Sequence, residues 1–175
     1  MTHWTRESLL SFLDIQRIHI QEALHPAVFT MTESAGLSLA LPGCRCKNLL
    51  VRNKKGTLRY LIVTSPDAAV DLGALGKMLG SGRLSLCPAP EMMDLLGIAP
   101  GAMSPFSLIA DRDAKQIQLV MDAELATASH FQFHPLINTS TVAISQEELA
   151  QFLAAVGHPP RYEAIPRRAA ADAPS

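Results

Sequence analysis

The spacing of hydrophobic positions predicts a series of short helices and strands. Residues 5–19 carry apolar side chains at helical spacing, with Thr5 placed to cap the helix. Two apolar, β-rich segments, 46–53 and 57–64, flank Lys54-Lys55-Gly56 and predict a β-hairpin with glycine in the turn. The same reasoning assigns four further short elements before residue 100: helices over 32–39, 71–79 and 90–96, and a strand over 83–87.

The second half of the chain predicts four strands and a final helix. Segments 106–110 and 115–121 are expected to pair across residues 111–113, and two more strands are expected over 131–134 and 139–144. Ser145 and Glu148 form a capping box for a helix that ends at Gly157. The Pro-, Arg- and Ala-rich end predicts a flexible tail over 161–175.

The order of these elements indicates a single α+β domain over 1–160. Strands and helices do not alternate as in a doubly wound fold, so a mixed sheet surrounded by short helices fits better. The chain has 175 residues, of which 48% are hydrophobic and 18% are charged. This composition excludes disorder for most of the chain.

Charge excludes a protein that coats nucleic acid by net charge alone. There are 15 Lys and Arg against 16 Asp and Glu, a net charge of −1. Basic residues are nevertheless concentrated between positions 45 and 59, where no acidic residue occurs. This basic segment is either a solvated hairpin or a local phosphate-binding edge. Its members are Arg45, Lys47, Arg52, Lys54, Lys55 and Arg59.

The cysteines predict neither a disulfide framework nor a metal site. There are three, and the Cys44-x-Cys46 spacing lacks the second pair of ligands that a zinc site needs. No run of 18 apolar residues occurs, and the first residues lack the order of a signal peptide. We therefore expect no metal, no cofactor, no membrane partner and a cytoplasmic location.

Three segments could carry chemistry, and each has a purely structural alternative. Lys47 opens a strand that is apolar on both faces, so it lies at a solvated end or at the edge of a cleft. Residues 101–106 form either a tight connection or a loop whose N–H groups stabilise an oxyanion. Residues 133–141 form either a β-turn or a polar pocket wall. A serine-hydrolase triad of Ser104, His134 and Asp111 is disfavoured because the G-x-S-x-G elbow is absent.

Five segments in order resemble the YbaK/ProX family, the free-standing relatives of the editing domain of bacterial prolyl-tRNA synthetases. The resemblance extends from about His25 to Gly157 and is closest to the branch that hydrolyses alanyl-tRNA(Pro). The segments are CKNLLVRNKKG (46–56), DLGALGKMLGSGRLS (71–85), LLGIAPGAMSPFSLI (95–109), QLVMDAEL (118–125) and FHPLINTSTVAIS (133–145).

This resemblance implies a curved mixed sheet, and it implies deacylation of mischarged tRNA without a cofactor. The expected catalytic residues, which match the family's lysine, its G-x-x-S-P-F loop and its histidine, are Lys47, Gly101, Ser104 and His134. The expected substrate-binding residues are Thr30, Asn48, Pro105, Phe106, Asn138 and Thr139. The residues expected to contact the acceptor stem are Arg45, Arg52, Lys54, Lys55 and Arg83.

The expected partner is mischarged tRNA, bound through its acceptor stem and 3′ end. Prolyl-tRNA synthetase and an elongation factor are further candidate partners, and DNA is not expected to bind. Alanine is the first expected amino acid, and serine, cysteine and 2-aminobutyrate remain open. A non-catalytic tRNA- or synthetase-binding module is the competing class. The chain departs from the family pattern near the expected pocket, at Cys44, Cys46 and Leu50. The oligomeric state is left open.

Overall fold

The computed structural model describes residues 3–169, and the elements in that range are short. Its α-helices are α1 (Arg6–Ile15), α2 (Met31–Ala35), α3 (Leu72–Met78), α4 (Ala89–Leu96) and α5 (Gln146–Val156). Its β-strands are β1 (Gln21–Leu24), β2 (Cys44–Arg45), β3 (Lys47–Asn53), β4 (Arg59–Thr64), β5 (Leu84–Leu86), β6 (Ile117–Asp122), β7 (His130–Phe133), β8 (Ser140–Ser145) and β9 (Arg161–Glu163). Two 3₁₀ helices, Pro105–Asp111 and Ala123–Thr127, flank β6.

The strands form two mixed sheets, whereas the sequence predicts one. The four-stranded sheet has the order β1-β8-β7-β2, in which only β2 and β7 are parallel. The five-stranded sheet has the order β5-β3-β4-β6-β9, in which β4, β6 and β9 run parallel to one another. The chain passes from one sheet to the other at Cys46, between β2 and β3. The α+β prediction is confirmed, and so is the hairpin of β3 and β4.

The centre of the five-stranded sheet is buried on both faces, which explains the consecutive apolar residues 49–51 in β3 and 60–63 in β4. Alternate side chains of a strand point to opposite faces. Leu50 and Leu61 belong to the main core, whereas Val51 and Ile62 belong to a second cluster under α3. A strand of this kind shows no polar alternation that would reveal a solvent-facing side.

The prediction of a strand over 106–110 is wrong, because these residues belong to the 3₁₀ helix Pro105–Asp111. The Ser104 side chain caps this helix by accepting from Phe106 N, and Pro105 occupies its first turn. Because almost every side chain of this helix is buried, its apolar run looks the same as that of a buried strand. The predicted pairing across residues 111–113 does not form, and β6 pairs with β4 instead.

The prediction of a flexible tail from residue 161 is also wrong as far as residue 169. Strand β9 pairs with β6, and the Ile165 side chain is only 6% exposed. Arg167 forms ion pairs with Asp122 and Glu124. These contacts order the segment even though its Pro-, Arg- and Ala-rich composition is typical of a flexible tail. Residues 170–175 lie outside the described range.

Besides β9, three short elements were not predicted, namely β1, β2 and the 3₁₀ helix Ala123–Thr127. Helix α2 also begins earlier than predicted, since its cap is Thr30 rather than Thr32. Strand β1 pairs with β8 at the edge of the four-stranded sheet and leads into the segment that precedes α2. In residues 3–169, no helix has the length and apolar character needed to cross a membrane.

Candidate active site

A cavity of about 340 Å³ opens where the chain passes between the two sheets. Its walls come from the segment around α2, from the start of β3, from the loop at Gly101 and from the end of β7. Six of the sequence-predicted site residues line it: Thr30, Arg45, Lys47, Asn48, Gly101 and His134. The fold therefore brings together residues that lie more than 100 positions apart in the chain.

Lys47 provides a cation held at the cavity wall. It is the first residue of β3, is half-buried, and its Nζ donates to the backbone oxygen of Ala68 at 2.6 Å. An ammonium group has three N–H donors, so two remain for substrate oxygens. The contact with Ala68 fixes a long side chain that would otherwise lose rotamer freedom on binding.

His134 presents a neutral imidazole to the cavity. Its Nδ1 lies 2.7 Å from the backbone oxygen of Ser140, which can only accept, so Nδ1 carries the proton. Burial lowers the pKa of His134, and the nearby His25 and Arg45 lower it further. Nε2 is therefore an unprotonated acceptor at neutral pH, oriented by the bond at the opposite side of the ring.

The Gly101 loop contributes Gly101 and Met103 to the cavity wall. Gly101 has a φ of +90°, a conformation that favours glycine. The N–H of Ala102 donates to Ala99, and that of Ser104 donates to the Ser107 hydroxyl. Within the described range, the N–H groups of Gly101 and Met103 have no hydrogen-bond partner, and both residues line the cavity. Two free N–H groups of this kind can receive a developing oxyanion.

Ser104, Pro105 and Phe106 are not part of the cavity wall, which corrects their assignment to the site. The Ser104 hydroxyl is fully buried and donates to the backbone oxygen of His134 at 2.7 Å. Phe106 packs edge-to-face against Phe133 and Phe152 in the core. Ser104 therefore holds the loop against the end of β7, and its buried hydroxyl is unsuited to a nucleophile.

Asn138 and Thr139 support the cavity wall from outside. The Asn138 side chain donates to Val28 O at 3.0 Å, and Val28 N donates to Asn138 O at 3.2 Å. His25 N donates to Thr139 O at 3.0 Å. These bonds attach the segment before α2 to the loop before β8, so the two residues position the wall without lining it.

Asn48 carries a buried acceptor without a partner. Its Oδ1 is the one buried side-chain oxygen or nitrogen in residues 3–169 that has no hydrogen bond. Its Nδ2 makes only a long contact of 3.5 Å with Cys46 O. Leaving such a group unpaired costs about 1–3 kcal/mol. Because Asn48 lines the cavity, a donor on a bound ligand would remove this cost.

The predicted tRNA-contacting residues separate into two groups. Arg45 lines the cavity and donates to the Ser34 hydroxyl. The others lie toward the far end of β3, roughly 20 Å from Lys47 at about 3.3 Å per residue. There Arg52 is paired with Glu91 at 2.8 Å, so its charge is partly neutralised. Lys54 and Lys55 in the hairpin turn, and Arg83 just before β5, are exposed.

Residues 25–152 match the family model for the aminoacyl-tRNA editing domain. The chain belongs to the aminoacyl-tRNA editing domain family. The resemblance to YbaK/ProX proteins is thereby confirmed. A "Prolyl-tRNA editing protein ProX" from Acetoanaerobium sticklandii is 30% identical to this editing domain, over 87% of this chain and 93% of that protein.

Other relatives of the editing domain extend the comparison to animals and to solved structures. A "Prolyl-tRNA synthetase associated domain-containing protein 1" from Xenopus laevis is 33% identical over 89% of this chain and 94% of that protein. The structure of a candidate trans-editing enzyme for prolyl-tRNA synthetase has a TM-score of 0.67 at 19% identity, covering 96% of this chain and 100% of that one. At this identity the structural match establishes the fold.

Sequence reasoning gave no individual role to some residues that line the cavity of this editing domain, although Thr141 lies in the segment 133–141 that it interpreted as a β-turn or a pocket wall. Thr141 donates its hydroxyl to His25 Nε2 at 2.8 Å, and the His25 ring lies 5.8 Å from that of His134. Phe29 is 68% exposed at the cavity rim. The alternation of side chains in β8 could have identified Thr141, because Thr141 and Ala143 face away from the main core that Val142 and Ile144 join.

Proposed function

We propose that this editing domain is a deacylase that acts in trans on mischarged tRNA(Pro), with alanyl-tRNA(Pro) as its first substrate. The observation that carries the proposal is one cavity that combines the Lys47 cation, the neutral His134 ring and the free N–H groups of Gly101 and Met103. The names of the prolyl-tRNA editing and synthetase-associated relatives support the same substrate class.

The chemistry requires little from the protein beyond positioning and charge stabilisation. The substrate is an ester between an amino acid and the terminal ribose, and an ester is already activated toward water. The Gly101 and Met103 N–H groups receive the oxyanion that forms when water attacks the carbonyl. One such donor is worth on the order of 10²–10³ in rate.

Lys47 and His134 have separate roles in this proposal. Lys47 holds the 3′ end of the tRNA through a phosphate or a ribose oxygen, using the two N–H donors that Ala68 leaves free. His134 Nε2 accepts a hydrogen bond from the attacking water or from the ribose hydroxyl next to the ester. Asn48 Oδ1 accepts from the α-ammonium group of the amino acid, which gives that buried atom a partner.

Selection of the amino acid follows from size. A cavity that must also hold the terminal ribose leaves room for a small side chain, and proline is excluded by its ring. Discrimination by one methylene supplies only about 1–3 kcal/mol, so a separate site that admits small amino acids complements the synthetase. Serine, cysteine and 2-aminobutyrate are the competing substrates.

The test is single-turnover deacylation of tRNA(Pro) charged with alanine, serine, cysteine, 2-aminobutyrate or proline. We expect rapid loss of one small amino acid, with proline retained. Lys47→Ala should lower that rate by on the order of 10², because misplacement of a substrate by about 1 Å can cost that much. Lys77→Ala, which removes an exposed lysine on α3 outside the cavity, is the matched control and should keep the wild-type rate.

A wild-type rate in Lys47→Ala would contradict the role of that lysine. Binding of tRNA without hydrolysis of any of the five esters would instead place the protein in the class of non-catalytic tRNA- or synthetase-binding modules. Labelling of Ser104 by a fluorophosphonate would support a serine hydrolase, and its burial argues against that outcome.

A further inference from the structure

Two cysteines lie where the chain crosses between the sheets. Cys44 is in β2 of the four-stranded sheet, and Cys46 lies between β2 and β3. Cys44 is half-buried, whereas Cys46 is 7% exposed and lines the cavity. Both thiols are free, and the mechanism proposed above uses neither of them.

The local backbone keeps the two thiols within reach of each other. Residues two positions apart have Cα atoms at most about 7 Å apart, close to the range of about 4.4–6.8 Å found in disulfides. The Cys46 side chain also folds back toward its neighbour, with its Sγ 3.9 Å from the backbone oxygen of Cys44.

The two thiols differ in reactivity. Interaction with the Cys46 thiol lowers the pKa of Cys44 to about 7, whereas the same contact and burial raise the pKa of Cys46. Cys44 is therefore a partly ionised, accessible thiol beside a protonated partner. Cys87 is a suitable contrast, because it is buried, with its pKa raised to about 11 by burial and by Glu91.

We propose that Cys44 and Cys46 are a peroxide-sensitive thiol pair that closes to a disulfide at the cavity wall. The Cys44 thiolate attacks one oxygen of hydrogen peroxide, the O–O bond breaks, and the departing hydroxide takes a proton to become water. Cys46 sulfur then attacks the Cys44 sulfenic acid, the S–O bond breaks, and the second hydroxide leaves with the Cys46 proton as water. Two thiols are oxidised by two electrons, and peroxide is reduced to two waters.

Closure of this disulfide alters the cavity, because Cys46 lies between two other wall residues. Arg45 and Lys47 flank it directly and both line the cavity. Drawing Cys46 Sγ toward Cys44 removes it from the wall and constrains the backbone that carries Lys47. On the basis of the proposed deacylase function, we expect the oxidised protein to hydrolyse its substrate at least tenfold more slowly, with recovery under dithiothreitol.

The first experiment treats the full chain with hydrogen peroxide, blocks remaining thiols and maps the peptides by mass spectrometry. Arg45 lies between the two cysteines, so trypsin cuts between them and the disulfide appears as two linked peptides. We expect this species in wild type and in the control Cys87→Ser, and not in Cys44→Ser. In Cys46→Ser, dimedone should trap the sulfenic acid at Cys44. With iodoacetamide at pH 7, Cys44 should react at least tenfold faster than Cys87.

Equal alkylation of Cys44 and Cys87, or peroxide treatment without linked peptides, would overturn the proposal. These mass measurements need no deacylase activity, so they fail or succeed independently of the proposed function. If the disulfide forms and the oxidised protein deacylates its substrate at the rate of the reduced protein, the proposed effect of the disulfide on the cavity is wrong.

Discussion

At the scale of single residues, the site depends on backbone groups as much as on side chains. Gly101 and Met103 contribute N–H groups, Ala68 contributes the oxygen that holds Lys47, and Ser140 contributes the oxygen that orients His134. Backbone groups are placed by the path of the chain and cannot be exchanged by substitution. In the proposed mechanism, the conformation of Gly101 therefore determines where the oxyanion donors lie.

Gly101→Ala tests this dependence on backbone conformation. A Cβ at this position would meet Val28 O at 3.3 Å, and the φ of +90° strains any residue other than glycine. We expect a loss of about 1–2 kcal/mol in the free energy of unfolding from the backbone conformation. The single-turnover rate should fall at least tenfold, because the loop must move away from Val28.

Gly80→Ala separates strain from position. Gly80 has a φ of +68°, and a Cβ there meets nothing within 4 Å. The Gly80→Ala variant should lower the free energy of unfolding, measured by denaturant titration, by a comparable amount. Its deacylation rate should equal that of wild type. Equal rates for the two variants would show that the Gly101 loop does not contact the reacting ester.

The sequence placed Lys47, Gly101 and His134 at the site through the family resemblance, and the structure brings all three to one cavity. The same resemblance also selected Ser104, Pro105 and Phe106, which face the core. A motif identifies a segment of chain but not the direction of each side chain. Here the side chains of Ser104, Pro105 and Phe106 point to the core because Ser104 caps the 3₁₀ helix that begins at Pro105. The spacing of residues in the motif does not predict this cap.

At the scale of elements, the five-stranded sheet is completed by a strand that composition alone did not predict. Strand β9 covers the free edge of β6, and Ile165 then packs under the sheet with the second cluster. The other misassigned element, the helix Pro105–Asp111, shows the same limit. A short buried run has no polar alternation, so only its neighbours in the fold decide whether it becomes a strand or a helix.

Truncation after Pro160 measures what the C-terminal segment contributes. It removes the β9 pairing, the buried Ile165 and the ion pairs of Arg167 with Asp122 and Glu124. Burying one such isoleucine is worth about 1.5–3 kcal/mol, so we expect at least that loss in the free energy of unfolding. Truncation after Ala169 retains every one of these contacts and serves as the control. Identical thermal midpoints for the two truncations would contradict a structural role for the segment.

At the scale of the whole molecule, opposite charges nearly cancel but are unevenly distributed. The net charge is −1, yet Lys54, Lys55 and Arg83 are exposed near the far end of β3 from the cavity. This arrangement places a cationic end about one strand length from the proposed ester site. A tRNA whose 3′ end enters the cavity would have its stem phosphates near these residues.

Binding of tRNA should therefore weaken as salt rises, with a slope set by a few contacts. Removing two charges in the double variant Lys54→Ala, Lys55→Ala should reduce the slope of log K against log salt by roughly 1.5. Fluorescence anisotropy between 50 and 200 mM salt, the range in which such contacts weaken, measures this slope. Arg161→Ala, at the opposite edge of the five-stranded sheet, should leave the slope unchanged. An unaltered slope in the double variant would place the tRNA elsewhere.

Helix α2 differs from the other walls of the cavity in having no buried residue. The neighbouring wall on β3 and β7 belongs to core strands, so substitutions there disturb packing as well as the site. Met31 and Ser34 of α2, and Leu37 just after it, line the cavity and are half-buried, and none of them belongs to either core cluster. Substitutions at these positions should therefore disturb core packing less than substitutions in β3 or β7. Under the proposed function, the residues of this segment that would contact the bound amino acid are distinct from the residues that form the core.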